Sequence, residues 1–109
     1  EHPRVARVFH PSLDPRGDLV ASQLRGFSGL LSFELRGGFA EVRAVLDRLR
    51  HFRIAVSWGG FESLAIASNR GSNVEALREA GLPEGLIRLS IGLEPAESLI
   101  ADLRQALGN

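Results

Sequence analysis

Apolar residues in this chain keep changing their period, and that alternation restricts the fold more than any other feature. Leu31, Phe33 and Leu35 alternate with Ser32 and Glu34, the spacing of a half-buried strand. Phe39, Val42, Val45, Leu46 and Leu49 then recur every three or four residues, which gathers them on one helical face. Gly37-Gly38 separates the two segments. Repeated switching of this kind requires strands and helices to share one core, which excludes pure bundles and pure sandwiches.

The remaining segments follow the same logic. Val5–Phe9 is apolar and β-branched enough for a strand, and the stretch from His10 to Gly17, with two prolines and a glycine, reads as a loop. Asp18 is expected to cap a short helix running to about Leu24. Arg53–Ser57 and Ser63–Ala67 read as strands around the break Trp58-Gly59-Gly60. Ser72 or Asn73 is expected to cap a helix over Val74–Ala80, which Gly81 stops. Leu86–Gly92 is the cleanest strand. Pro95 then opens a last helix, with Leu99, Ile100, Leu103 and Leu107 as its apolar stripe and Gly108 at its end. The order predicts an α/β (α+β) domain: one sheet of four or five strands, mostly antiparallel, with helices on one face. The other face is left for a partner or ligand.

At 109 residues the chain fits one domain, residues 1–109, and its 44% apolar content supports a compact core. Thirteen arginines balance thirteen acidic residues. That balance argues against nucleic-acid or anionic-membrane partners, which require a basic surplus. No apolar run approaches the roughly 20 residues of a membrane span. Cysteine is absent, which removes disulfides, thiolate nucleophiles and Cys-based zinc sites and fits a reducing, cytoplasmic location. No signal peptide follows Glu1, and a start without Met reads as a fragment or processed product. Every basic residue is arginine; there is no lysine.

Two places could carry chemistry. In the Leu86–Gly92 strand, Ile87, Leu89 and Ile91 face one way, and Leu86, Arg88, Ser90 and Gly92 the other. An arginine held between apolar strand residues has a fixed stem and a planar fork suited to a carboxylate or phosphate. The alternatives are a pair with a neighbouring Glu, or simple solvation. Ser57-Trp58-Gly59-Gly60 offers a hydroxyl, a flat apolar wall and glycines that admit close backbone approach. Its plainer reading is a Gly-Gly turn with a core tryptophan. Glu62 reads best as an ion-pair or capping residue. His2, His10 and His51 lack metal-ligand spacing. No Gly-x-Ser-x-Gly elbow, Gly-x-Gly-x-x-Gly or Walker motif is present.

Five segments in order carry a resemblance that spans nearly the whole chain. They are His10-Pro11, Gly26-Phe27-Ser28-Gly29-Leu30-Leu31-Ser32-Phe33-Glu34-Leu35, Ser57-Trp58-Gly59-Gly60-Phe61-Glu62-Ser63-Leu64, Leu86-Ile87-Arg88-Leu89-Ser90-Ile91-Gly92-Leu93-Glu94, and the stretch from Leu99 to Leu107. The chain resembles the C-terminal domain of the transsulfuration enzymes: cystathionine γ-synthase, the cystathionine lyases and methionine γ-lyase. The resemblance implies the small C-terminal domain of a pyridoxal 5'-phosphate (PLP) enzyme of the aspartate-aminotransferase-like fold. In such enzymes the arginine matching Arg88 grips the substrate carboxylate, helped by the serine matching Ser57 and the backbone of the following residue, here Trp58. It further implies a cytoplasmic homo-oligomer, usually a tetramer, acting on a sulfur amino acid.

Trp58 is similar to the β-lyases, where the synthase and γ-lyases usually carry Leu. The resemblance is therefore nearest to cystathionine β-lyase. Val56 departs from the pattern, since synthases and γ-lyases tend to have Glu there and the best-known β-lyases Tyr. Synthase and methionine γ-lyase types thus stay open. PLP enzymes hold the cofactor as a Schiff base on lysine. The chain's lack of lysine implies that the N-terminal PLP-binding domain lies outside it. This chain alone is then expected to contain no catalytic residue and to be inactive. Composition also permits a different class: a small amino-acid-binding or interaction module without catalysis.

Overall fold

The computed structural model describes residues 1–108. Five strands, β1 (Val5–Phe9), β2 (Leu30–Leu35), β3 (Arg53–Ile54), β4 (Leu64–Ala67) and β5 (Leu86–Ser90), form one sheet in the order β1-β2-β5-β4-β3. Three pairings are antiparallel, and β3 runs parallel to β4. The expected mostly antiparallel α/β sheet is thus what forms. Four helices accompany it: α1 (Gly17–Gln23), α2 (Phe39–Arg48), α3 (Val74–Glu79) and α4 (Ala96–Leu107). None of the helices among the described residues is long and apolar enough to cross a membrane.

The period-two segments bury the predicted side. Phe33 pairs with Ile87, Leu31 with Leu89, and Ala65 and Ala67 continue the same two rows on β4. Val42 and Val45 of α2 and Leu99, Ala106 and Leu107 of α4 close over that face with Phe52, making one core. The opposite face carries Ser32, Arg88 and Ile66 abreast on β2, β5 and β4. There the short helix α3 brings Leu77 beside Ile66 and Arg88, so that face is partly covered.

Several local expectations give way to tertiary contacts. The strand expected over Arg53–Ser57 stops after Ile54; Ala55 still donates to the Ala65 carbonyl at 3.3 Å, and the Val56 carbonyl accepts from Arg88. Asp18 lies inside the first turn of α1 rather than capping it. Arg16 holds the cap position, its own N–H taken by Asp14 at 2.8 Å. Asn73 occupies the N-cap of α3, but its side chain points backward, accepting the Arg70 N–H and donating to the Ser68 carbonyl. The stretch after His10 contains a single 3-10 turn, Pro11–Leu13, where a loop was expected. On α4 Ile100 is 53% exposed and leaves the apolar stripe. Asp102 takes a buried place there, and the helix end is at Gly108 as predicted.

Candidate functional site

The central strand of the sheet presents Arg88. Its flanking residues Ile87 and Leu89 are fixed in the core, so the α-carbon of Arg88 is as rigid as the fold allows. The side chain emerges on the opposite face, where Nη2 donates to the Val56 carbonyl at 2.5 Å. No carboxylate among the described residues pairs with it. The neighbouring-Glu alternative is therefore not realised. Arg88 lines a shallow hollow of about 430 Å³ with Val56, Ile66, Leu77 and Arg70. An arginine carries five N–H donors, so one bond to a carbonyl leaves a fork for an anion.

Ser57 follows directly, its carbonyl 3.5 Å from Arg88 Nη2. It also lines a second hollow of about 280 Å³ with Gly60, Phe61 and Leu64. Trp58 is 65% exposed, so the core-tryptophan reading of this turn does not hold. Gly59 has φ +80°, a left-handed value that a side chain would strain. Structure thus brings the Ser57 backbone to Arg88 and leaves the Trp58 indole at the surface.

Residues that sequence reasoning passed over hold this loop. The Gly59 N–H donates to Ser90 Oγ at 3.1 Å, and the Leu93 N–H to the Phe61 carbonyl at 2.8 Å. Ser63, fully buried, accepts the Gly92 N–H at 2.9 Å, and its own N–H donates to Glu94 Oε1 at 3.0 Å. The Ser63 hydroxyl, with backbone donors, holds the Glu94 carboxyl below its ordinary range against partial desolvation. Glycine is required at position 92, where a Cβ would overlap the Phe61 carbonyl and the Glu62 backbone. The alternating pattern of β5 was the available signal: Ser90 and Gly92 share the Arg88 face.

The other candidates resolve as structural groups. Glu62 pairs with Arg53 at 3.3 Å on the surface, as expected. His2 bonds the Gly108 carbonyl, and His10 the Ser12 hydroxyl. Among the described residues no cluster of His, Cys, Asp and Glu could hold a metal.

Comparison with known proteins places this arrangement. A family model for Cys/Met metabolism PLP-dependent enzymes matches residues 1–108. An L-methionine γ-lyase of Fusobacterium nucleatum subspecies polymorphum is 38% identical over 98% of the chain, and a cystathionine β-lyase of Coxiella burnetii is 37% identical over 98%. The crystal structure of a cystathionine γ-synthase from Xanthomonas oryzae superimposes with TM-score 0.82 over 97% of the chain, at 47% identity. In each case the chain spans 29% of the relative's length. The three names differ in reaction, so likeness does not single out the β-lyase type suggested by Trp58. It does define the group, and this chain belongs to the Cys/Met metabolism PLP-dependent enzyme family.

Proposed function

We propose that this chain is the C-terminal, substrate-carboxylate-binding domain of a PLP-dependent carbon–sulfur lyase, with Arg88 as the anchor. The observation that carries the reading is the position of Arg88: central strand, a hollow on the face away from the core, no acidic partner among the described residues. A bidentate pair with a substrate α-carboxylate uses that fork fully. Ser57 and the backbone at Trp58 flank the carboxylate, and the Trp58 indole forms a wall beside it. Holding one end of an amino acid fixes its Cα bonds relative to the reacting group, which lowers the barrier by positioning.

The cofactor itself does not fit this chain. The sequence has no lysine for a Schiff base. The cofactor's attachment and chemistry therefore belong to an N-terminal domain of the same protein, and the contribution of these residues is binding and orientation. The full protein is proposed to act in the cytoplasm as a homo-oligomer.

Cystathionine, cleaved by β-elimination, is the proposed substrate, on the strength of Trp58. A second reading rests on Val56, whose side chain is 72% exposed next to the Arg88 fork. An apolar group there suits a short thioether such as methionine and a γ-elimination.

The test uses the full-length enzyme, with cystathionine and methionine as substrates. Pyruvate with ammonia marks β-elimination, and 2-oxobutyrate marks the γ-reaction. Arg88→Ala is expected to keep the cofactor's visible absorbance and lower kcat/KM roughly 100-fold, mostly through KM, as loss of a charged hydrogen-bonded pair does. Unchanged kinetics in that variant would remove Arg88 from the site.

A further inference from the structure

The loop from Val56 to Ser63 is not held by its own sequence. It is tied at intervals to β5 and its extension: Val56 to Arg88, Gly59 to Ser90, Phe61 to Leu93 and Ser63 to Gly92. Three of these ties use backbone atoms of β5's extension or the Arg88 fork itself. On the β5 side only the Gly59 tie depends on a small side chain, the Ser90 hydroxyl, which is 3% exposed and cannot reach a ligand directly; the Ser63 tie uses the loop's own hydroxyl. Ser90 lies two residues from Arg88 on the same strand face, about 7 Å further along. The segment it grips, Gly59, directly follows Ser57 and Trp58.

We infer that Ser90 is a positioning residue of the carboxylate site. By accepting the Gly59 N–H, it holds Ser57 and Trp58 at a set place beside the Arg88 fork. This rests on the reading of Arg88 as the carboxylate anchor. Without the hydroxyl, Arg88 keeps its place, because the strand and core hold it, while the Trp58–Gly60 turn loses its only side-chain tether to β5 among the described residues. Substrate then meets the guanidinium without its flanking groups. The loss falls on binding, not on the chemical step.

The full-length enzyme tests this with Ser90→Ala and with the pair Ser90→Thr and Ser90→Val. The pair has matched volume and differs only in the hydroxyl. The expected result is a KM about tenfold higher for Ser90→Ala than for wild type, and about tenfold higher for Val than for Thr, with kcat within about twofold. In an Arg88→Ala background, Ser90→Ala should add little, because the two act on one contact. A purely structural serine would lower the active fraction instead, reducing kcat with KM unchanged and affecting Thr and Val alike. That outcome overturns the inference while leaving Arg88 in place. If Arg88→Ala itself leaves KM unchanged, the underlying reading fails and this inference fails with it.

Discussion

Asp102 is a charge buried inside an apolar stripe, and its surroundings explain why it is tolerated. Its side chain has no exposed surface. It accepts the N–H groups of Arg50 (2.9 and 3.0 Å), His51 (2.7 Å) and Phe52 (3.2 Å), and the Gln105 amide (2.9 Å). The three N–H groups are backbone donors of the turn between α2 and β3, and the Gln105 amide comes from α4 itself. Burial alone would raise the carboxyl's pKa, but the His51, Arg50 and Phe52 N–H groups and Gln105 together hold it below its ordinary range. A depressed folded pKa contributes stability above the unfolded value, near 4, that is lost as pH falls through the folded value. Asp102→Ala leaves three N–H groups without an acceptor and is expected to cost about 3 kcal/mol at pH 7. The difference between Asp102→Ala and wild type should shrink below about pH 4, and urea unfolding at several pH values measures both effects.

Between elements, the close approach of loop and strand depends on position 92. The loop backbone at Phe61 and Glu62 passes directly over Gly92, where there is no room for a Cβ. Gly92→Ala must push the loop off the end of β5, breaking the Leu93 to Phe61 hydrogen bond and straining the Ser63 pair. The expected cost is about 2–3 kcal/mol, the scale of overpacking in a tight contact. Because the same loop carries Ser57, substrate affinity should fall as well. Thermal unfolding and KM of the variant full-length enzyme check the two parts separately, and an unshifted Tm would show that the loop moves away freely.

Across the whole molecule, exposed apolar side chains are unevenly placed. Ile54, Val56, Trp58, Phe61 and Leu93 are all more than half exposed at the loop end of the sheet, and Leu13, Leu19, Leu24 and Phe27 are exposed around α1. Helix α1 buries no residue at all. Large apolar surface of this kind marks contact with other protein. Prepared alone, residues 1–109 are therefore expected to bind a hydrophobic dye or self-associate in light scattering. A monomeric, dye-negative chain would show that these side chains need no partner. Mixed with PLP and borohydride, the isolated chain should acquire no side-chain adduct, since it has no lysine.

Period and punctuation determined much of this protein from sequence alone. Strands β1, β2 and β5, helices α2 and α4 and the face of β5 that carries Arg88 follow from local spacing, because a side chain's direction in a regular element depends only on its place in the repeat. Ordered motifs pointed to the family through residue identity and spacing, on strands β2 and β5 and helix α4 and also in the loop from Ser57 to Ser63. What lay outside local reach were contacts between segments far apart in the chain. Nothing in the local pattern marks Asp102, and it caps a turn 50 residues away. Ser90 and Glu94 looked unremarkable and became tethers for the Gly59 and Ser63 backbone. Trp58 looked like a core residue and lies outside. β3 is shorter than its apolar run, and the Val56 carbonyl beyond it accepts from Arg88, 32 residues away. For Asp102, Ser90 and Glu94 a backbone polar group needed a partner, and which side chain met it was decided only when the sheet and helices had packed.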